Sequence, residues 1–585
     1  MKMKTIYFML FMALTAMTAC KKSLLDTVPY SAVASETMWT TDNLTDKGVS
    51  GVYAALRLGV EQTYGSGVEL YQMDRYGFTG QARESEPLMT GTITASNDNF
   101  SLTWRYLYEG IQRANDAIYN IPLKSPSSEE KKARYIAECK FLRAYFYLRL
   151  NQVFKGVPIY LEPFDAAETT QQRATEEEVW NQIIADLTAS IDESNLPDRY
   201  AGGDAQYGHI TKGAAYALRG KAYLYLEKWD LAAADFSHVK EAGYSLFADY
   251  KTLFKTANEQ CPEMIFSIQN IDIDGFGSTT QFFCGSRSSF GSCWNNYLVS
   301  PNLVDLYENT DGSKFNWEDV LPEWSTLTVA QREVYFLRDN LTADEIAAAT
   351  GRGAKMDLYL PTGNEARILK AYTNRDPRLA DNVITPYSTY LGAFNSADAV
   401  VTMRWPFRSE AAENGDLRTD TQNYFYYLYR KFVYEGISET IDRSYGPTDF
   451  PIIRYADVLL MWAEALNEQG LTDDAIAKVN EVRFRAGVAP LNSNGATAVS
   501  GKEDLRERIR NERRVEFPNE GINFYDELRW KSWKDKVFYS GNGVKQIWGN
   551  VVYAYSFQGD YIYNWAIPQV EIERTPIEQN SGWIN

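Results

Sequence analysis

The chain has 585 residues, 45% hydrophobic and 23% charged, a globular composition long enough for one large core or several domains. Lys and Arg number 59 against 77 Asp and Glu, a net charge of −18 with no basic block, which excludes reading nucleic acid through its phosphates. Only two histidines, His209 and His238, argue against His-based metal sites and acid–base catalysis, whereas forty tyrosines, each with an apolar face and a polar tip, suit wet, polar ligands.

At the N-terminus, Lys2 and Lys4 precede nine apolar residues, 6–14. A membrane span takes about 20 residues, so this run fits the core of a secretory signal instead. Small residues Thr15, Ala16, Thr18 and Ala19 then lead to Cys20. The pattern resembles a bacterial lipobox, with Met17 where Leu is preferred. Residues 1–19 are therefore expected to be a signal peptide and Cys20 the lipid attachment point; the alternative is an ordinary signal with an incidental Cys. No later segment is long and apolar enough to cross a membrane, so the mature chain reads as a soluble body on a lipid tether.

Helical periodicity follows. Ser127 with Glu130 opens a helix that runs through Phe141, Ala144, Tyr145 and Leu148 and stops near Gly156 and Pro158. Thr175 and Glu178 form a capping box before Val179, Ile183, Leu187 and Ile191. A third helix carries Ala215, Leu218, Ala222 and Tyr225 on one face; Gly213, Ala214, Ala217 and Gly220 make it small-sided, so neighbours can approach closely. After Lys228 and Trp229 comes a partner helix with Ala233, Phe236 and Val239. Residues 452–468 and 473–485 form a similar pair across Gly470. Such pairs are tetratricopeptide-like. Between them lie Gly/Ser loops (275–291), Tyr-rich strand candidates (424–429) and scattered Pro. The expected fold is mainly α: tetratricopeptide-like helix pairs form a scaffold with a large irregular, loop-rich insertion containing a few short strands. The parts are 20–245, 246–450 and 451–585. Cys139 should be a buried apolar residue. Cys284 and Cys293 flank a Gly/Ser loop and form either a disulfide or two free thiols.

G-x-S-x-G, H-E-x-x-H, P-loop, G-x-G-x-x-G and C-x-x-C motifs are all missing. A glycosidase needs only two carboxylates, which 77 acidic residues neither exclude nor indicate. Residues 309–312 (NTDG) hint at a calcium loop but lack its ligand spacing and read as a solvated turn. No cofactor and no metal is implied.

Ordered motifs carry a resemblance. Phe141 to Leu148 (FLRAYFYL) with Gly156-Val157-Pro158-Ile159 comes first, then Asn374-Arg375-Asp376-Pro377-Arg378-Leu379. Next are Ile453 to Leu460 (IRYADVLL) with Ala463-Glu464-Ala465, Asn480 to Gly487 (NEVRFRAG), and Asn511 to Phe517 (NERRVEF). Glu520-Gly521, Phe524-Tyr525-Asp526 and Arg529-Trp530 follow, and Ile567-Pro568-Gln569 with residues 579–583 (QNSGW) closes the series. In this order the blocks resemble the SusD/RagB family, outer-membrane lipoproteins of glycan-foraging Gram-negative bacteria. Arg454, Asp457, Glu464, Arg513, Arg514 and Glu516 read as partly buried ion pairs that fix helix packing.

The resemblance implies a non-catalytic lipoprotein that binds oligo- or polysaccharide at the outer membrane, facing the cell exterior, and delivers it to a SusC-like TonB-dependent transporter. Lys21 and Lys22 depart from the acidic residues that usually follow the lipidated Cys in surface-exported members. A peptide-uptake role on the same architecture and a carboxylate-pair glycoside hydrolase are the alternatives. Ligand residues lie in variable loops, so candidates rest on chemistry and position. Residues 290–297 present Trp294, Asn296 and Tyr297, with Trp294 expected to be exposed under a sugar ring or else to plug the core. Residues 71–86 supply Asp74, Arg75 and Arg83. Trp317, Trp324 and Trp405 are weaker candidates; Trp104, Trp180 and Trp462 read as core.

Overall fold

A computed structural model describes residues 35–59, 69–164, 171–411, 414–421, 423–439 and 442–583. The expected signal segment and Cys20 lie outside the described residues. Helix α1 (Asp42–Ala54) is followed by strand β1 (Gly80–Ala82) and then by α2 (Asp98–Lys124), α3 (Glu129–Phe154), α4 (Glu176–Asp192), α5 (Lys212–Tyr225) and α6 (Trp229–Glu241). Each helix from α2 to α6 packs on the next. The middle region holds β2 (Met264–Ile268), β3 (Tyr297–Val299), a short α7 (Pro301–Leu306), the hairpin β4–β5 (Thr389–Phe394, Ala397–Thr402) and β6 (Phe450–Arg454). The chain then resumes α8 (Tyr455–Glu468), α9 (Thr472–Ala486), α10 (Lys502–Glu516) and α11 (Asn523–Arg529), ending in the hairpin β7–β8 (Gly543–Lys545, Val551–Ala554). Helix α8 docks on α6, so the helical stack continues across some 200 residues of intervening chain. The fold is mainly α with short strands in small sheets, as the sequence predicts.

Local chemistry explains the boundaries. Thr175 and Glu178 make both bonds of the capping box at α4. Helix α3 is capped by Ser128, one residue later than expected, because the Ser127 hydroxyl is engaged by Asp42 and Ser125. Residues 450–454, expected as helix from 452 onward, pair as a strand with β2; two adjacent β-branched isoleucines favour that state, and the helix begins only at Tyr455. Small residues allow close helix approach: a Cβ on Gly220 would lie 2.5 Å from the Phe236 ring, and one on Gly110 2.7 Å from Phe146. Helix α2 was not expected, yet Phe100, Trp104, Tyr108, Ile111, Ala114 and Ile121 line its buried face at helical spacing.

Two hydrophobic cores result. The first joins the N- and C-terminal helices. The second holds the middle region together with Val515, Val544, Ile547 and Trp548. A buried ionic network ties these regions together, and the recurring sequence blocks meet in it. Glu516 pairs with Arg378 (2.8 Å), Arg454 (2.7 Å) and Arg485. Arg454 also reaches Glu263 (2.7 Å) and Glu520 (2.8 Å), and Lys431 pairs with Glu520. Arg513 links Asp457 (2.8 Å) to Asp526 (2.6 Å), which Arg529 joins to Glu464. Arg514 pairs with Glu527 at 2.7 Å. These residues are almost fully buried, more so than the partial burial expected. The tail closes on α3: Asn580 Nδ2 donates to the carbonyls of Phe154 (2.9 Å) and Trp565 (2.7 Å).

Candidate functional site

Strands β1 and β3 pair antiparallel, Gly80 opposite Val299 and Ala82 opposite Tyr297. The ladder extends one step further, the Arg83 amide donating to the Asn296 carbonyl at 2.7 Å. This pairing brings together the two loops singled out in the sequence, more than 200 residues apart. Arg83 then caps the junction: one terminal nitrogen donates to the Trp294 carbonyl at 2.7 Å and to Asp420, while Nε donates to Glu84 at 3.0 Å. Arg287 grips the other Asp420 oxygen, with Nε at 2.7 Å, and the Asp420 amide donates to Asn295 Oδ1 at 2.8 Å. Burial raises the Asp420 acid, but the bonds from Arg287 and Arg83 outweigh it and hold the group below its ordinary range. Two planar guanidiniums thus share one carboxylate at a partly exposed surface.

Tyrosines border this junction. Residues 424–426 run beside 546–547, the Phe425 amide donating to Gln546 Oε1 and the Ile547 amide to the Phe425 carbonyl. Tyr424 is 41% exposed, and its ring lies 5.8 Å from that of Tyr426. Tyr426 lies within electrostatic reach of Arg83, Glu84, Tyr424 and Tyr553. Asn296 Oδ1 and Asn295 Nδ2 are buried and have no hydrogen-bond partner among the described residues. Such orphans carry a cost that water or a ligand normally relieves.

Arg83, Trp294, Asn296 and Tyr297 therefore converge, whereas two other candidates do not reach the surface. Asp74 is 1% and Arg75 3% exposed, so both stand behind the face rather than on it. Arg75 stacks 4.2 Å over Tyr76 and pairs with Glu86 at 3.1 Å; its role here is to hold the 71–86 loop. Burial pushes the Asp74 acid up to about 7, with the backbone of Gly521 and Asn519 facing it. Trp294 is half-buried, not exposed as expected: its ring lies 4.5 Å from Phe282 and packs on the second core. Tyr297 is half-buried between Tyr71 and Phe283. Cys284 and Cys293 are buried free thiols, so the disulfide alternative is not realised. Trp317 and Trp405 are core residues whose indole nitrogens bond Asp305 and Glu333; Trp324 is half-buried and stacked on Trp317. Trp104 and Trp180 are buried, and Trp462 is partly so. Of the 424–429 strand candidate only Leu428–Tyr429 is a strand, and its Tyr424 and Tyr426 border the junction instead. Asp420 and Arg287 carry no local signal, because only the tertiary fold places them opposite Arg83.

Comparisons with known proteins agree with this architecture. A model described as the SusD family matches residues 262–583, and one described as starch-binding and associating with the outer membrane matches residues 24–224. A SusD-like protein, P38, of Formosa agariphila is 24% identical, covering 90% of this chain and 91% of its own. The starch-binding protein SusD of Bacteroides thetaiotaomicron is 23% identical, covering 69% of this chain and 67% of its own. Among solved structures, a SusD-like protein of Bacteroides fragilis superposes with a TM-score of 0.72 at 22% identity, covering 95% of this chain and all of that one. A laminarin-binding SusD-like protein superposes at 0.62 with 23% identity, covering 93% of this chain and all of that one. The surface glycan-binding protein A of Bacteroides thetaiotaomicron, solved with laminarihexaose, superposes at 0.62 with 17% identity, covering 92% and 100%. At these identities the structures show a shared fold.

Proposed function

The chain belongs to the SusD family, and from that premise we propose that it is a non-catalytic, carbohydrate-binding lipoprotein of the outer membrane that passes oligo- or polysaccharide to a SusC-like TonB-dependent transporter. The observation that carries this reading is the face built by Arg83, Asp420, Arg287, Trp294, Tyr424 and Tyr426. Aromatic rings contact the C–H faces of sugars, and planar guanidinium, carboxylate and amide groups pair with hydroxyls. Such a site needs no reacting group, and modest affinity suffices when a polymer engages many tethered copies. Relatives named for starch and laminarin support the same ligand class.

Tyr424→Ala should weaken retention in polysaccharide affinity gels by about tenfold or more, the usual effect of losing a central aromatic, and leave the melting temperature unchanged. Trp294→Ala should lose affinity and stability together, because the ring also packs on Phe282. The retained polymer should show no new reducing ends. Full retention by both Tyr424→Ala and Arg83→Ala would place the site elsewhere.

The anchor and the transporter rest on the Cys20 pattern and the family. Purification from membranes in mild detergent should recover a large β-barrel partner in near-equal amount, and Cys20→Ala should release the protein from that fraction. Recovery of the native protein alone would count against the transporter.

A further inference from the structure

Asn302 and Asp305 stand three residues apart on α7 and share one face of it. Asp305 is solvent-exposed and accepts one hydrogen bond, from Trp317 Nε1 at 2.9 Å. Asn302 Oδ1 accepts from Tyr539 Oη at 2.8 Å and Lys545 Nζ at 3.1 Å, and Lys545 Nζ also donates to Tyr539 Oη at 2.6 Å. Lys545 is only 8% exposed, yet no carboxylate among the described residues lies within 4.0 Å of its ammonium. Its field nonetheless acts on Asp305, one helical turn from its Asn302 contact. Arg332 completes the rim. It lies over the Trp324 ring and donates through Nε to the Trp324 carbonyl, and its terminal nitrogens donate to no described residue. Tyr539 stands 42% exposed at the edge.

An exposed carboxylate and a nearly buried ammonium therefore face each other without closing into an ion pair. Although Asp305 is exposed, surrounding protein pushes its acid up to about 6, so the carboxyl lies on the floor of a recess. Burial likewise brings Lys545 down to about 8. A group that fills the gap must donate to the carboxylate and accept from the ammonium side by side. A sulfate or uronate would meet Asp305, and an amino sugar would meet Lys545, so each is disfavoured by like charge. Adjacent neutral hydroxyls satisfy both.

We propose that this recess is a second sugar subsite, in which a vicinal diol of a neutral sugar unit bridges Asp305 and Lys545 while the ring rests against Tyr539. The inference rests on the carbohydrate-binding reading above and extends it along the same surface. Gln81 bonds both the amide and the carbonyl of Lys545, each at 2.9 Å, and Gln81 and Arg83, two residues apart along the extended ladder, point to one face. One linear oligosaccharide can therefore touch the Arg83 face and the recess together.

Affinity gels with starch, laminarin, mannan and xylan, followed by calorimetry with the hexaose of whichever polymer is retained, test the proposal. Asp305→Asn preserves the acceptor for Trp317 and should keep the melting temperature, but should lower hexaose affinity about tenfold at pH 7. Wild-type affinity should fall between pH 7 and pH 5 as Asp305 takes up its proton, and Asp305→Asn should remove that dependence. Arg332, Arg375 and Lys545 stay charged across this range, and Tyr372, Tyr427 and Tyr539 stay neutral, so Asp305 is the titrating group of the recess. If Tyr424→Ala loses the hexaose while Asp305→Asn and Tyr539→Ala bind as wild type at both pH values, the recess is no subsite and the carbohydrate reading stands. If wild type retains none of the four polymers, the neutral-carbohydrate reading itself fails and the recess with it. Tighter binding of alginate than of every neutral polymer, strengthened further by Asp305→Asn, would overturn the neutral-sugar assignment.

Discussion

Arg454→Ala is expected to abolish the folded state or reduce it to a trace. Arg454 is 1% exposed and forms ion pairs with Glu263, Glu516 and Glu520 at 2.7–2.8 Å. Its removal leaves three buried carboxylates short of a counter-charge. Breaking one buried pair typically costs about 3–5 kcal/mol, a large share of the roughly 5–15 kcal/mol that holds a domain folded. Soluble yield and thermal melting decide the matter. Asp457→Ala and Arg514→Ala should follow with smaller losses, because each breaks fewer contacts. A variant that melts like wild type but no longer binds polysaccharide would show that the network serves the ligand instead of the fold.

The second large effect is a stability maximum in mildly acid solution, near pH 5. Burial raises the acids of Glu69 and Asp449 to about 8 and those of Asp74 and Glu259 to about 7, well above their unfolded values near 4. Between these limits the folded state holds protons that the unfolded state has released, so stability rises as pH falls from 8 toward 5. Lys431 and Lys545, brought down to about 8 by burial, contribute a pH dependence only above that value. Glu516 behaves oppositely. Despite its burial, Arg485, Arg454 and Arg378 hold its carboxyl far below the ordinary range. Its contribution is complete above its unfolded value and is lost as pH drops toward the folded one, so stability should fall again below about pH 4.5. Melting temperatures from pH 3 to 9 should trace this asymmetric dome. Glu69→Gln should raise stability at pH 8 and leave it nearly unchanged at pH 5; a profile flat from pH 5 to 8 would contradict the assignment.

The helical scaffold was legible because its signals are local. The capping box at Thr175, the small side of α5 and the α8–α9 pair depend on residues within a few turns of each other. Helix α2 was equally legible in principle, since its buried face recurs at helical spacing. Residues 450–454 misled because their fate depends on β2, some 180 residues away. The candidate face was half-legible. Arg83 and the 294–297 loop stand out by chemistry, but Asp74 and Arg75 share that chemistry and are buried, while Asp420 and Tyr424 reach the face from a remote part of the chain.

By itself, the sequence determined the family, the mainly α scaffold and the ionic character of its shared blocks. Each of these follows from residue type and short-range order: apolar spacing selects helix, and Arg and Glu on otherwise apolar segments must pair to be buried. Only the tertiary structure decided which polar residues face solvent and which opposite charges meet. Asp74 and Asp305 are the same residue type, yet one is sealed behind β1 and the other lies open beneath Trp317, because burial is set by the elements that fold over a side chain from elsewhere in the chain.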